Sequence, residues 1–162
     1  MLEQKIIIFG GSFNPPGIHH RRIVESLAKL GHVIVYPCGM RLDKSSAGAV
    51  TSEERAIMIL ATFSGIPNVT IDLSDINNNE FARTYDIDQR MKIKYGVNVW
   101  HAIGADLIRG GADGEAQIQN KWYKGQELWV EAQFVAMTRG GLIIKNEDLP
   151  PQAILLDCNF LG

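Results

Sequence analysis

The residues best suited to chemistry stand near the amino terminus, in the run Gly10-Gly11-Ser12-Phe13-Asn14-Pro15-Pro16-Gly17-Ile18-His19-His20. Gly10 and Gly11 lack Cβ, so the backbone can turn sharply and come close to a ligand. Pro15 and Pro16 stiffen the loop. A helix that starts directly afterwards presents unpaired N–H groups and the positive end of its dipole to an anion. His19 and His20 lie in its first turn, followed by Arg21 and Arg22. Backbone donors and an imidazole together suit a phosphate, but the same residues also suit a tight strand-to-helix turn with solvated histidines. The spacing is neither G-x-G-x-x-G nor a Walker loop, which disfavours dinucleotide and P-loop readings. Two further segments leave the ends of apolar runs with unusual residues: Pro37 to Lys44, and Gly104-Ala105-Asp106.

The elements that must position these groups read as alternating strands and helices. Lys5 to Phe9 is a short apolar, β-branched run of the kind buried on both faces of a parallel sheet. Ile23, Leu27 and Leu30 recur at helical spacing until Gly31, and His32 to Tyr36 forms a second buried strand stopped by Pro37. Strand, crossover helix, strand implies parallel pairing. Gly39 to Val50 reads as a loop. Thr51 and Glu54 form a capping box opening a helix with Ile57, Leu60 and Ala61 on its inner face. Val69 to Leu73 is a strand and Ile76 to Glu80 an asparagine-rich turn. Thr84 to Tyr95 is a helix ended by Gly96, and Val97 to Ile103 a strand ended by Gly104. After Gly110 to Gly114, one amphipathic helix is predicted around Gln117 to Val130. Phe134 to Met137 and Ala153 to Leu156 are the last strands. The order predicts an α/β fold, a Rossmann-like doubly wound parallel sheet with helices on both faces, in a single domain over residues 1–162. Ligands of such sheets bind beyond the carboxyl ends of the strands.

Composition narrows the function. Sixteen basic against eighteen acidic residues in 162 give a formal charge of −2, which disfavours a nucleic-acid or membrane-surface protein while leaving room for a local phosphate site. No apolar run reaches the roughly 18–20 residues of a membrane span, and Met1 to Lys5 lacks signal-peptide character. Cys38 and Cys158 are distant in sequence and outside any metal-binding spacing, as expected of a reduced, cytoplasmic protein. A homo-oligomer is compatible with all of this.

The first run resembles the signature of the nucleotidylyltransferase superfamily, in which the first strand ends in G-G-[ST]-F-[DN]-P followed by [HT]-x-G-H. Within it the chain is most similar to the nicotinate/nicotinamide mononucleotide adenylyltransferases. Lys44 stands at a basic position of the loop after the second strand, and Glu54-Arg55 with Met58-Ile59-Leu60 resembles an E-R…M-L helix. Thr84-Tyr85-Asp86-Ile87-Asp88 is similar to S-Y-T-x-x-T, and Trp100 to Asp106 to F-I-I-G-A-D. Lys121-Trp122-Tyr123 and Phe134 to Gly141 resemble the K-W…F-V…R-P-G stretch. There are three departures. Gly17 and His19 occupy the first His/Thr and the glycine of [HT]-x-G-H, Asp86 replaces a threonine, and no S-[ST]-T-x-x-R segment precedes Gly162.

The resemblance implies that ATP and a pyridine mononucleotide give a dinucleotide and pyrophosphate, by in-line attack on the α-phosphate, with nicotinate mononucleotide the favoured acceptor. Gly10, Gly11, Ser12, Phe13, His19 and His20 would then meet the ATP phosphates. His20 would donate to them, most strongly when charged, and Lys44 would close over the β,γ-phosphates. Mg²⁺ would be held mainly by the ATP phosphates and water, with no protein metal site. Gly104 would floor the adenosine while Asp106 accepts a ribose hydroxyl, although Asp106 also suits a helix cap. Trp122 would stack on the pyridine ring and Trp129 belong to the core; helical pattern alone puts both in the core. Thr84 and Tyr85 would line the same pocket. Arg139 would meet a phosphate or carboxylate, or stay a solvated charge. The resemblance also implies that Gly17→His preserves or raises activity. Two alternatives stand beside this reading: a nucleotide-binding module of the same fold with catalysis weakened, and a nucleotidylyltransferase with another phosphorylated acceptor or with CTP.

Overall fold

A computed structural model describes residues 4–39 and 50–159. The chain forms two compact units that meet in sequence between Ala82 and Arg83.

In the N-terminal unit the order is β1 (Lys5–Gly11), α1 (Ile18–Leu27), β2 (Gly31–Pro37), α2 (Ser52–Phe63), β3 (Val69–Ile71) and α3 (Ser74–Asn77). β2 lies between β1 and β3, and both pairings are parallel. The apolar runs explain this: Ile7, Ile8 and Phe9 of β1 and Val33 to Tyr36 of β2 are all buried, so the strands are covered on both faces. The register sets Gly10 beside Tyr36 and Gly11 beside Pro37, so the two strands end together where the glycine loop begins.

The C-terminal unit follows the same logic. α4 (Thr84–Tyr95) leads to β4 (Val99–Gly104), then α5 (Gln117–Lys121), α6 (Gly125–Glu131), β5 (Gln133–Thr138) and β6 (Ala153–Asp157). β5 pairs in parallel with both β4 and β6. Ile103, Ile108, Ile118, Leu128, Trp129 and Phe134 make its core. The strand pairings within each unit are parallel and helices intervene between most strands, so the α/β Rossmann-like class holds. No helix among the described residues is long and apolar enough to cross a membrane.

Four local expectations are corrected. The helix of α1 stops at Leu27, and Leu30 is exposed. The asparagine-rich turn instead begins with the short helix α3. The single helix expected over Gln117 to Val130 is two, because Trp122 is extended and Lys124 takes a left-handed φ of 50°. Finally, the inner face of α2 is Arg55, Ile59 and Phe63, whereas Ile57 is 67% and Leu60 46% exposed. Thr51 caps α2 as expected: the Glu54 amide donates to its hydroxyl at 3.1 Å. The Thr51 hydroxyl also donates to the Glu54 carboxylate at 3.1 Å, a side-chain contact and not the amide bond that would complete a capping box.

Candidate active site

The turn from β1 into α1 is built around Phe13. This residue is 4% exposed and sits at φ 45°, a conformation that costs a bulky side chain energy unless its packing holds it there. Its ring lies 5.4 Å from Phe9, 5.6 Å from Phe63 and 5.1 Å from His20, centre to centre. Gly11 makes this possible, since a Cβ there would stand 3.3 Å from the Phe13 ring. Gly10, Gly11 and Ser12 remain exposed at the end of the strand, as a ligand-facing backbone requires.

Arg55, only 5% exposed, braces this loop from α2. Its guanidinium donates from Nε to the Ser12 carbonyl at 3.1 Å and from Nη2 to the carbonyls of Ser12 and, at 2.8 Å, Cys38. The Cys38 amide in turn donates to the Gly11 carbonyl at 3.0 Å. One buried cation therefore ties together the exits of β1 and β2. Periodicity alone misses it because an arginine counts as a polar residue; the signal lay in its position one helical turn before Ile59.

His20 has a defined protonation pattern. The Gly17 amide donates to its Nδ1 at 2.9 Å, which makes Nδ1 an acceptor and leaves the proton of a neutral ring on Nε2. Burial, with a smaller effect from neighbouring His19, lowers its pKa below the usual 6.5. The expectation of a charged donor is thereby revised: His20 is set up as a neutral N–H donor, because protonating Nδ1 would break the Gly17 bond. His19 is exposed, and its ring lies tilted against that of His20 with centres 3.8 Å apart. Arg21 is spent elsewhere, donating to the carbonyls of Thr62 and Ser64 at 2.8 and 2.9 Å.

In the C-terminal unit Gly104 ends β4 and Asp106 lies in a short 3-10 turn, Ala105–Leu107. A Cβ on Gly104 would fall 2.6 Å from the Asp106 carboxylate, so the glycine admits that side chain. Gly104, not Asp106, is the cap residue of the turn, and no side chain caps it. Trp129 is buried in the core, while Trp122 is half-buried and packs against that core together with Tyr85. Thr84 opens α4. Tyr85 meets Tyr123 edge-on at 6.3 Å, and the Lys124 ammonium sits 4.8 Å from the Tyr85 ring centre. Arg83 lies over the Tyr123 ring at 5.7 Å. Tyr123, Lys124 and Arg83 were not singled out from sequence, because the left-handed turn that brings them to Tyr85 is invisible in helical spacing. Arg139 is exposed just past β5. Lys44 lies outside the described residues. Among those residues no group of three or more His, Cys, Asp or Glu could hold a metal ion.

A parallel strand ending in glycines, a braced turn and a helix with an imidazole in its first turn here belong to a nucleotidyltransferase. The chain belongs to the cytidylyltransferase-like family, whose model matches residues 8–153. It is 30% identical over 159 residues to a probable nicotinate-nucleotide adenylyltransferase of Acidothermus cellulolyticus, covering 94% of this chain and 74% of that protein. It is 28% identical to the protein of the same name from Carboxydothermus hydrogenoformans, over 88% of this chain and 68% of the other. Its fold matches the Plasmodium falciparum nicotinic acid mononucleotide adenylyltransferase complexed with NaAD, with a TM-score of 0.73, 24% identity, and 97% and 76% coverage.

Proposed function

We propose that the protein transfers the adenylyl group of MgATP to nicotinate mononucleotide, forming a dinucleotide and releasing pyrophosphate. The acceptor phosphate oxygen bonds to the α-phosphorus as the bond from that phosphorus to the α,β-bridge oxygen breaks, and the oxygen leaves on pyrophosphate. No covalent enzyme intermediate is needed, so the protein's part is alignment and charge stabilisation. The single observation that carries the reading is the fixed His20 ring, whose Nδ1 is engaged by Gly17 so that Nε2–H is the donor. Such a donor stabilises charge gathering on phosphate oxygens without first having to reorient. Gly10, Gly11, Ser12 and Phe13 supply the turn, His19 flanks it, and Lys44 reaches the β,γ-phosphates. Gly104 and Asp106 receive the adenosine; Trp122, Thr84, Tyr85 and Arg139 receive the acceptor. Magnesium arrives bound to the ATP phosphates. The names of the two bacterial relatives support the choice of acceptor.

The test is to mix the full chain with MgATP and either nicotinate or nicotinamide mononucleotide and follow pyrophosphate and dinucleotide. Turnover with the acid form is expected to exceed that with the amide. Absence of dinucleotide with both refutes the reading.

A further inference from the structure

His20 sits in a box with three defined sides. The Phe13 ring meets it edge-on at 5.1 Å, the Gly17 amide ties down Nδ1 at 2.9 Å, and the His19 ring covers it at 3.8 Å with an interplanar angle of 40°. The first two sides are the buried Phe13 ring and the backbone amide that caps α1. The third is an exposed side chain that has folded back over the backbone, and it can do so only because residue 17 has no side chain. A Cβ at Gly17 would stand 2.8 Å from His19 Nδ1 and 2.9 Å from its Cε1, well inside contact distance. Gly17 itself has φ −128° and ψ 174°, extended backbone open to any residue, so the glycine is not required by backbone conformation. What it provides is room for the His19 ring.

We propose that His19 is a positioning residue whose ring clamps His20 by lying tilted against it, and that Gly17 is the gap that admits it. The activity side of this inference rests on the function proposed above; the structural side does not. A ring held this close removes the remaining freedom of His20 about its side-chain bonds, while the Gly17 bond to Nδ1 leaves Nε2–H to donate. Of the charges near the turn, Arg21 is committed to Thr62 and Ser64, and Arg55 to Ser12 and Cys38, while Arg22 is exposed on α1. Beside burial, which is the larger effect, neighbouring His19 lowers the His20 pKa. A larger residue at 17, histidine included, displaces the clamp, which reverses the expectation that Gly17→His preserves activity.

The experiment compares His19→Ala, His19→Phe, Gly17→Ala and the double variant Gly17→Ala/His19→Ala in the full chain, by imidazole NMR of the ligand-free protein and by steady-state kinetics. In His19→Ala and Gly17→Ala the His20 titration is expected to move up toward the ordinary histidine value. kcat is expected to fall about 10-fold or more with the KM for ATP little changed, as for a misplaced transition-state donor. The double variant should be no worse than either single one, because both remove the same contact. His19→Phe keeps a flat ring and should restore kcat to within about threefold of wild type. An unchanged His20 titration in both His19→Ala and Gly17→Ala overturns the clamp, as does additivity in the double variant. Failure of phenylalanine to rescue kcat overturns it too, and would assign His19 a direct contact through its own nitrogen. Wild-type protein that makes no dinucleotide defeats the proposed function alone, since the NMR comparison needs no substrate.

Discussion

At the scale of single residues, the site depends on two polar side chains doing different work. His20 is half-buried and, in the proposed reaction, offers one N–H to the phosphates, whereas Arg55 is buried and donates to backbone carbonyls. Removing a preorganised donor costs about 10²–10³ in turnover. His20→Ala is therefore expected to lower kcat by about two orders of magnitude, while urea denaturation shows a stability loss of only about 1 kcal/mol for the lost Gly17 bond and ring packing. Wild-type turnover in that variant would remove His20 from the mechanism. The pH dependence follows from the direction of its shift. A histidine with a lowered folded pKa favours the fold when neutral, so its stabilising contribution is complete above the ordinary value near 6.5 and is lost as pH falls through the folded value. Sequence reading found His20 by its place after the glycines. It assigned the charged form because nothing in the sequence reveals that the Gly17 amide reaches back to Nδ1.

Elements place these residues, and here the helix faces decide. On α2 the apolar pattern pointed to Ile57, Leu60 and Ala61, yet Arg55, Ile59 and Phe63 form the buried stripe at i, i+4 and i+8. The helix is rotated because the Arg55 guanidinium has carbonyl acceptors at Ser12 and Cys38, and Phe63 closes on Phe13. Ile59→Ala is expected to destabilise by about 2–5 kcal/mol, whereas Leu60→Ala stays within about 0.5 kcal/mol. Equal losses in thermal or urea melts would show that the stripe lies elsewhere. Between α4 and β4 a buried pair does similar work: His101 Nε2 and Lys92 Nζ each stand 2.8 Å from the Asp88 carboxylate, which is 1% exposed. Burial raises the Asp88 pKa, but the hydrogen bonds from His101 and Lys92 outweigh it and hold the carboxyl below its ordinary value. A depressed carboxyl stabilises above its unfolded pKa and loses that contribution as pH falls through the folded one. Asp88→Asn should cost about 3 kcal/mol at pH 7, and its stability should fall less steeply than wild type between pH 5 and 3. A deficit that persists undiminished at pH 3 would contradict this.

At the scale of the whole molecule, the question is whether nucleotide binding and catalysis have stayed together. MgATP at about 100 times its Kd should stabilise the chain by about 2.7 kcal/mol, read as a higher melting temperature. That stabilisation without pyrophosphate release in the presence of acceptor would identify a nucleotide-binding module; neither effect would place the ligand outside the nucleotides altogether. The parallel α/β plan, the Thr51 cap and the glycine-rich turn were all legible in the chain, because each depends on near neighbours: β-branched runs, missing Cβ atoms, a hydroxyl three residues from an amide. The tautomer of His20, the inward turn of Arg55, the break at Lys124 and the room over Gly17 were decided by tertiary structure alone. Each depends on a partner brought close by folding or on a backbone turn that side-chain types do not encode, and periodicity carries no information about either.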